Sequence, residues 1–103
     1  MYVVIWSYDV PPAHRDAFVS AYGSDGDWAG LFASHPGFIR VDLVAESTPG
    51  RFVTIDIWRD EPAWDDFIAR HRIAYEQLDR RLDHLTTSQK RIARGNVLRA
   101  DDE

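Results

Sequence analysis

The 103-residue sequence contains no cysteine. That excludes disulfides, thiolate nucleophiles and cysteine-bound metal. Lys90 is the sole lysine, so arginine carries nearly all the positive charge, and the net charge is −5. No basic stripe stands out except KRIAR at 90–94. An acidic chain of this kind is not built to follow a phosphate backbone, and no nucleic-acid partner is expected. Long hydrophobic runs are also missing. The apolar run that opens the chain, Tyr2–Trp6, is too short for a signal peptide or a membrane span, so a cytoplasmic location without a membrane partner is expected. The histidines are His14, His35, His71 and His84, none spaced i,i+4, and no H-x-x-E-H string occurs. No metal is therefore expected. Dinucleotide and Walker fingerprints are missing as well.

What the chain does have is aromatic residues, 13% of the total. Most should be core, because large rings dominate burial, with some left to line a cavity or an interface. The length predicts one domain over 1–103, large enough to bury a core without staples, with 98–103 a frayed tail.

Residues 2–8, YVVIWSY, predict a strand rich in β-branched and aromatic residues, ended by Pro11 and Pro12. In 13–22, Ala13, Ala17, Phe18 and Ala21 share one side of an amphipathic helix that Gly23 breaks. Residues 38–46 and 51–59 both alternate, and the turn residues STPG between them complete a hairpin. Asp60 is placed to cap a second helix running to about residue 83. Its stripe is Trp64, Ile68, His71, Tyr75, Leu78 and Leu82, flanked by Phe67 and Ala74, with a possible break at 70–72. Residues 88–97 predict a last strand.

The order β-α-β-β-α-β is the ferredoxin-like arrangement, an α+β sandwich with both helices on one sheet face. Three strands each offer an aliphatic face and an aromatic, partly charged face. Val3, Ile5 and Ser7 stand against Tyr2, Val4, Trp6 and Tyr8, Ile39, Val41, Leu43 and Ala45 against Phe38, Arg40, Asp42 and Val44, and Val53, Ile55 and Ile57 against Phe52, Thr54, Asp56 and Trp58. The aliphatic face is expected to meet the helices. The other face would be a large apolar patch if left bare, and a second copy of the chain is the economical cover.

The stretch YGSDGDWAGLFASHPGF, 22–38, is the most site-like in composition. It lacks the G-K-[ST] of a phosphate loop and the spacing of an EF-hand calcium loop. It predicts a short helical turn capped by Asp25 or Asp27, with Trp28, Leu31 and Phe32 inward, that could cover one end of the helix–sheet space. His35 is expected on a surface turn.

Four stretches in this order carry a family likeness: YVVIWSYDV at the start, HPGF at 35–38, RFVTIDIW at 51–58 and EPAWDDFIARH at 61–71. Together they resemble the antibiotic biosynthesis monooxygenase family across about residues 2–95. The resemblance implies homodimers of ferredoxin-like subunits forming a dimeric α+β barrel. It also implies oxidation of polycyclic aromatic phenols by molecular oxygen without metal or flavin, hence no cofactor. A haem-degrading branch uses an Asn, a Trp and a His. By position these fall on Ser7, Phe67 and Gln77, so haem ligation of that kind is not implied.

Within that frame His71 has two readings, a core histidine or a general base that takes a phenolic or benzylic proton. Arg40 either forms an ion pair with Asp42 or Asp56 or stabilises a developing phenolate. Tyr75 and Tyr8 could donate hydrogen bonds to a carbonyl. Trp28, Trp58, Trp64 and Phe67 are the expected contacts to a small aromatic substrate, or else ordinary core. The competing function is a non-enzymatic ligand-binding or structural dimeric domain on the same fold.

Overall fold

The computed structural model describes residues 1–99. Of the tail expected to fray, the part from residue 100 lies outside the described residues. The strands are β1 (Tyr2–Asp9), β2 (Phe38–Ala45), β3 (Arg51–Trp58) and β4 (Ser88–Asn96); the helices are α1 (Arg15–Tyr22), α2 (Asp27–Phe32) and α3 (Glu61–Leu82). Short 3-10 turns at Pro12–His14 and Asp83–Leu85 lead into α1 and out of α3. All strand pairings are antiparallel, in the order β2-β3-β1-β4. This is the ferredoxin-like sandwich.

The sheet is not closed into a barrel, which corrects the barrel expectation. Strands β2 and β4 lie at opposite edges and do not pair with each other. Four strands with ordinary twist form an open sheet, because closure needs more strands and a matching stagger.

The facing of the sheet also differs from expectation. The aromatic side, not the aliphatic one, meets the helices: Tyr2, Val4, Phe52 and Trp58 are all buried there, and Phe67 of α3 and Phe18 of α1 are fully buried against them. Large rings remove more surface from water than valine or isoleucine, and the short helices carry rings of their own that interlock with them. Phe18 stacks on Tyr22 with centroids 4.3 Å apart, and Phe32 meets Trp58 edge-on at 5.4 Å. On the aliphatic side Val3, Ile5, Val53 and Ile55 remain half-buried.

Two irregularities decide which edge residues point inward. The β2–β3 register slips between Phe38 and Arg40, and the β1–β4 register slips between Ile5 and Trp6. An extra residue in one strand reverses the alternation beyond it. On β2, Phe38 stands opposite Trp58 and Val41 opposite Asp56, so both turn toward the helices, while Arg40 faces away. On β4, Arg91 stands opposite Trp6 and Arg94 opposite Val4, which brings two arginines at an odd spacing onto the helix-facing side.

Helix α3 begins as its sequence predicts. The Ala63 N–H donates to Asp60 Oδ1 at 2.9 Å, and this bond heads the causes that hold the Asp60 carboxyl below its usual range. The helix kinks at His71, whose backbone leaves helical values (φ −120°, ψ 22°), within the 70–72 interval where a break is expected. Gly50 takes φ +83° in the hairpin turn, a conformation open to glycine and strained for other residues.

Candidate functional site

The helix–sheet interior holds a small polar pocket in an otherwise aromatic core. Asp56 is at its centre, on β3, only 6% exposed. Its neighbours in the alternation, Phe52, Thr54 and Trp58, are buried on the same side, so strand geometry alone commits the carboxylate inward. No described residue hydrogen-bonds or ion-pairs with it, and burial pushes its pKa up from 3.8 to about 7. A cavity of about 20 Å³ lies against it, walled by Tyr8, Tyr22, Trp28, Thr54 and Tyr75 among others. That volume suits a water molecule and is too small for an aromatic ring.

Asp79 and Gln89 also line the cavity, where Gln89 Nε2 donates to Asp79 Oδ1 at 3.3 Å, and the tyrosines there are held in their neutral form. Tyr75 is pushed up first by burial and next by the charge of Asp56. Tyr8 is pushed up by burial, and its hydroxyl is 3.1 Å from the Thr54 hydroxyl. The Tyr22 hydroxyl and the Trp28 indole N–H approach each other without completing a hydrogen bond. Such buried donors are costly unless something in the pocket accepts from them.

Trp6 and Tyr75 also belong to an open groove of about 530 Å³ between α3 and β4. Its walls include Trp64, Ile68, Arg72, Arg91 and Arg94. The same two side chains thus separate the groove from the Asp56 cavity, and their displacement would join the two spaces.

The sequence-predicted residues are distributed unevenly around this centre. Tyr75 and Trp28 both line the cavity, with ring centroids 4.9 Å apart. Trp64 lines the groove. Trp58 and Phe67 are fully buried beneath them, 5.1 Å apart, as core. His71 sits at the kink, stacked on Phe67 at 5.1 Å, and opens onto a separate surface depression away from Asp56. Arg40 is on the outward face, bonded through Nε to Asp42 Oδ1 at 3.1 Å. The ion-pair reading of Arg40 with Asp42 therefore describes its contacts, and Asp56 is on the opposite side of the sheet.

Asp56 was visible in the sequence as a charge interrupting a strand. What the alternation did not carry was that its face is the buried one and that no cation among the described residues pairs with it there.

His35 differs from its expected surface position. It is 8% exposed, and its Nδ1 accepts from the Gly37 N–H at 2.9 Å. Its proton is therefore on Nε2, donated to Asp66 Oδ2 at 2.8 Å. The HPGF turn is thereby tied to α3. A Cβ on Gly37 would come within 2.4 Å of the Ala63 Cβ, so glycine is required for that approach. In the 22–38 stretch, Gly26 and not an aspartate is the N-cap of α2, and Asp27 instead pairs with Arg81 at 3.0 Å. Trp28 and Phe32 do point inward, as expected.

Among the described residues no group of three or more His, Asp or Glu side chains is arranged to hold a metal ion. None of the described helices is long and apolar enough to cross a membrane.

The family model described as antibiotic biosynthesis monooxygenase matches residues 1–74. Among solved structures, an N63A mutant of SnoaB from Streptomyces nogalater, described as a cofactor-independent oxygenase, is 21% identical, covers 99% of this chain and 97% of its own, and superposes with a TM-score of 0.75. PA3566 from Pseudomonas aeruginosa is 18% identical, with 95% and 94% coverage and a TM-score of 0.63. MupZ from Pseudomonas fluorescens is 11% identical, with 90% and 67% coverage and a TM-score of 0.64. At these identities the likeness is one of fold. No curated protein matches the chain.

Proposed function

The chain belongs to the antibiotic biosynthesis monooxygenase family, and on that premise we propose that it oxidises an aromatic or polyketide-type phenol with molecular oxygen, the substrate itself reducing the oxygen. The observation that carries this reading is Asp56, a buried carboxylate without a partner, whose pKa of about 7 suits a general base. A structural role would call for a salt bridge or hydrogen bonds to offset the desolvation, and none is formed among the described residues.

In this reaction Asp56 takes a proton from the carbon or hydroxyl of the electron-rich ring. The resulting anion passes one electron to oxygen, the two radicals join in a C–O bond, and the peroxide anion so formed takes back the proton from Asp56 to become a hydroperoxide. Loss of water from the hydroperoxide leaves a carbonyl, so one oxygen atom enters the product and the other leaves as water. Tyr75, held neutral, donates a hydrogen bond to the developing oxyanion. Trp28 and Trp64 hold the ring, and displacement of Trp6 and Tyr75, the two side chains shared by the groove and the cavity, admits it. Asp56 takes the base role that the sequence suggested for His71, because His71 opens elsewhere.

The working unit is a homodimer. Val3, Ile5, Val53 and Ile55 form a half-buried aliphatic sheet face that none of the helices covers, and a second copy supplies the missing apolar surface.

One observation favours a second reading, a ligand-binding domain without turnover. The cavity at Asp56, about 20 Å³, does not hold a ring unless its walls move. Oxygen consumption with an anthrone-type phenol separates the two readings. The expected result is uptake whose kcat/KM rises through a pH of about 7 to a plateau, because the base works ionised. Asp56→Asn is expected to lower kcat by about 10²- to 10⁴-fold. Uptake that survives Asp56→Asn and falls in His71→Ala would return the base to His71. No uptake from any electron-rich phenol that binds would leave the ligand-binding reading.

A further inference from the structure

From Arg15 to Arg81 every arginine except Arg72 pairs with a carboxylate. Arg72, Arg91 and Arg94 form no ion pair with any described residue, and all three line the groove between α3 and β4. Two of them are there because of the β4 irregularity. A regular strand would send residues three apart to opposite faces, but the extra residue at Ile92 turns Arg91 and Arg94 to the same side, opposite Trp6 and Val4. Two acids share the groove, Asp65 and Glu76, and Glu76 is engaged with Arg80 at 3.9 Å. The apolar part of the groove is Trp6, Trp64 and Ile68. A chain with net charge −5 thus keeps its uncommitted guanidinium groups around one apolar trough beside the Asp56 cavity.

We infer that this groove selects an anionic substrate, a flat aromatic ring bearing a carboxylate, with Arg72, Arg91 and Arg94 receiving the carboxylate and Trp6 and Trp64 the ring. Guanidinium forks match carboxylate geometry and indole faces match a flat ring, so the two parts of such a ligand meet separate partners. An acid anchored at the arginines directs its ring toward Tyr75 and the cavity behind it. The inference rests on the oxygenase reading only for the reaction that follows, since the selection itself is a binding property.

The test is a tryptophan-fluorescence titration with 2-anthracenecarboxylate and with its primary amide, which has nearly the same shape and no charge. The carboxylate is expected to bind about 10- to 100-fold more tightly, the range of a charge-assisted hydrogen bond. That preference should shrink as salt rises from about 0.01 M to about 0.15 M and the screening length falls from about 30 to about 8 Å. The R72Q/R91Q/R94Q variant should bind the acid no better than the amide while keeping its affinity for the amide, and lysine at the same positions should restore part of the preference. Equal binding of acid and amide by the unaltered protein overturns the inference, as does a preference that survives the triple glutamine variant. Selective binding with no oxygen uptake would sustain the inference and count against the oxygenase reading. Uptake with neutral phenols and no preference for acids would do the reverse.

Discussion

Asn at position 56 is nearly isosteric with the native Asp and cannot ionise. Asp56 has a pKa of about 7 in the folded chain against an ordinary value of 3.8. Below about pH 4 both the folded and unfolded chains carry the proton, and the residue adds no pH dependence. Between about 4 and 7 the unfolded chain loses the proton while the folded chain keeps it, so the folded state binds more protons and stability falls as pH rises. Above 7 the penalty is complete and constant. Its size is about 4 kcal/mol, from about 1.4 kcal/mol for each tenfold change in proton affinity. Asp56→Asn is therefore expected to match the native protein near pH 4 and exceed it by up to about 4 kcal/mol at pH 8.5.

Urea denaturation at both pH values measures this. With a slope of about 1–3 kcal/mol per molar urea, the midpoint of the variant should lie about 1–4 M higher at the upper pH. The difference between the two proteins isolates Asp56 from carboxylates such as Asp66. That group is held below its usual range by Arg70 and then His35, and it acts alike in both chains. Midpoints that run parallel from pH 4 to 8.5, or a variant weaker at pH 8.5, would refute the claim that Asp56 is an uncompensated buried charge. The expected outcome would also mean that the ionised form assigned to the reaction is the less stable one, the trade found where a site residue is kept at the expense of stability.

Tyr75→Phe removes one donor to the oxyanion and is expected to lower kcat by about 10²-fold with the fold retained; an unchanged kcat in an oxygen-electrode assay would take Tyr75 out of the reaction. Phe67 is fully buried, so Phe67→Ala should cost about 3–5 kcal/mol of stability in urea denaturation. The chain should sediment at twice its 11.9 kDa at micromolar concentration, and Ile55→Lys on the uncovered sheet face should reduce it to the monomer; a native protein that sediments as the monomer would remove the homodimer.

Local pattern settled a good part of this molecule without any tertiary information. The alternation in 38–45 and 51–58 with Gly50 between marks the hairpin, the Asp60 cap and the Trp64–Leu82 stripe mark α3, and the order of elements limits the fold to the ferredoxin-like arrangement. These signals are legible because each depends on residues within a few positions of one another.

Which sheet face is inside was not legible, because both faces are apolar and only the rings brought by α1, α2 and α3 decide between them. The phase beyond each bulge was hidden too, since one extra residue reverses every side chain after it. That reversal brings Arg91 and Arg94 together, and the companion slip in β2 turns Arg40 outward. His71 shares a stripe with Tyr75 on an ideal helix, yet the kink at His71 gives the two side chains different surroundings. Asp56 shows the division most clearly. The sequence marks it as a charge within a strand, and only the assembled core, which surrounds it with rings and pairs it with no cation among the described residues, makes it a candidate base.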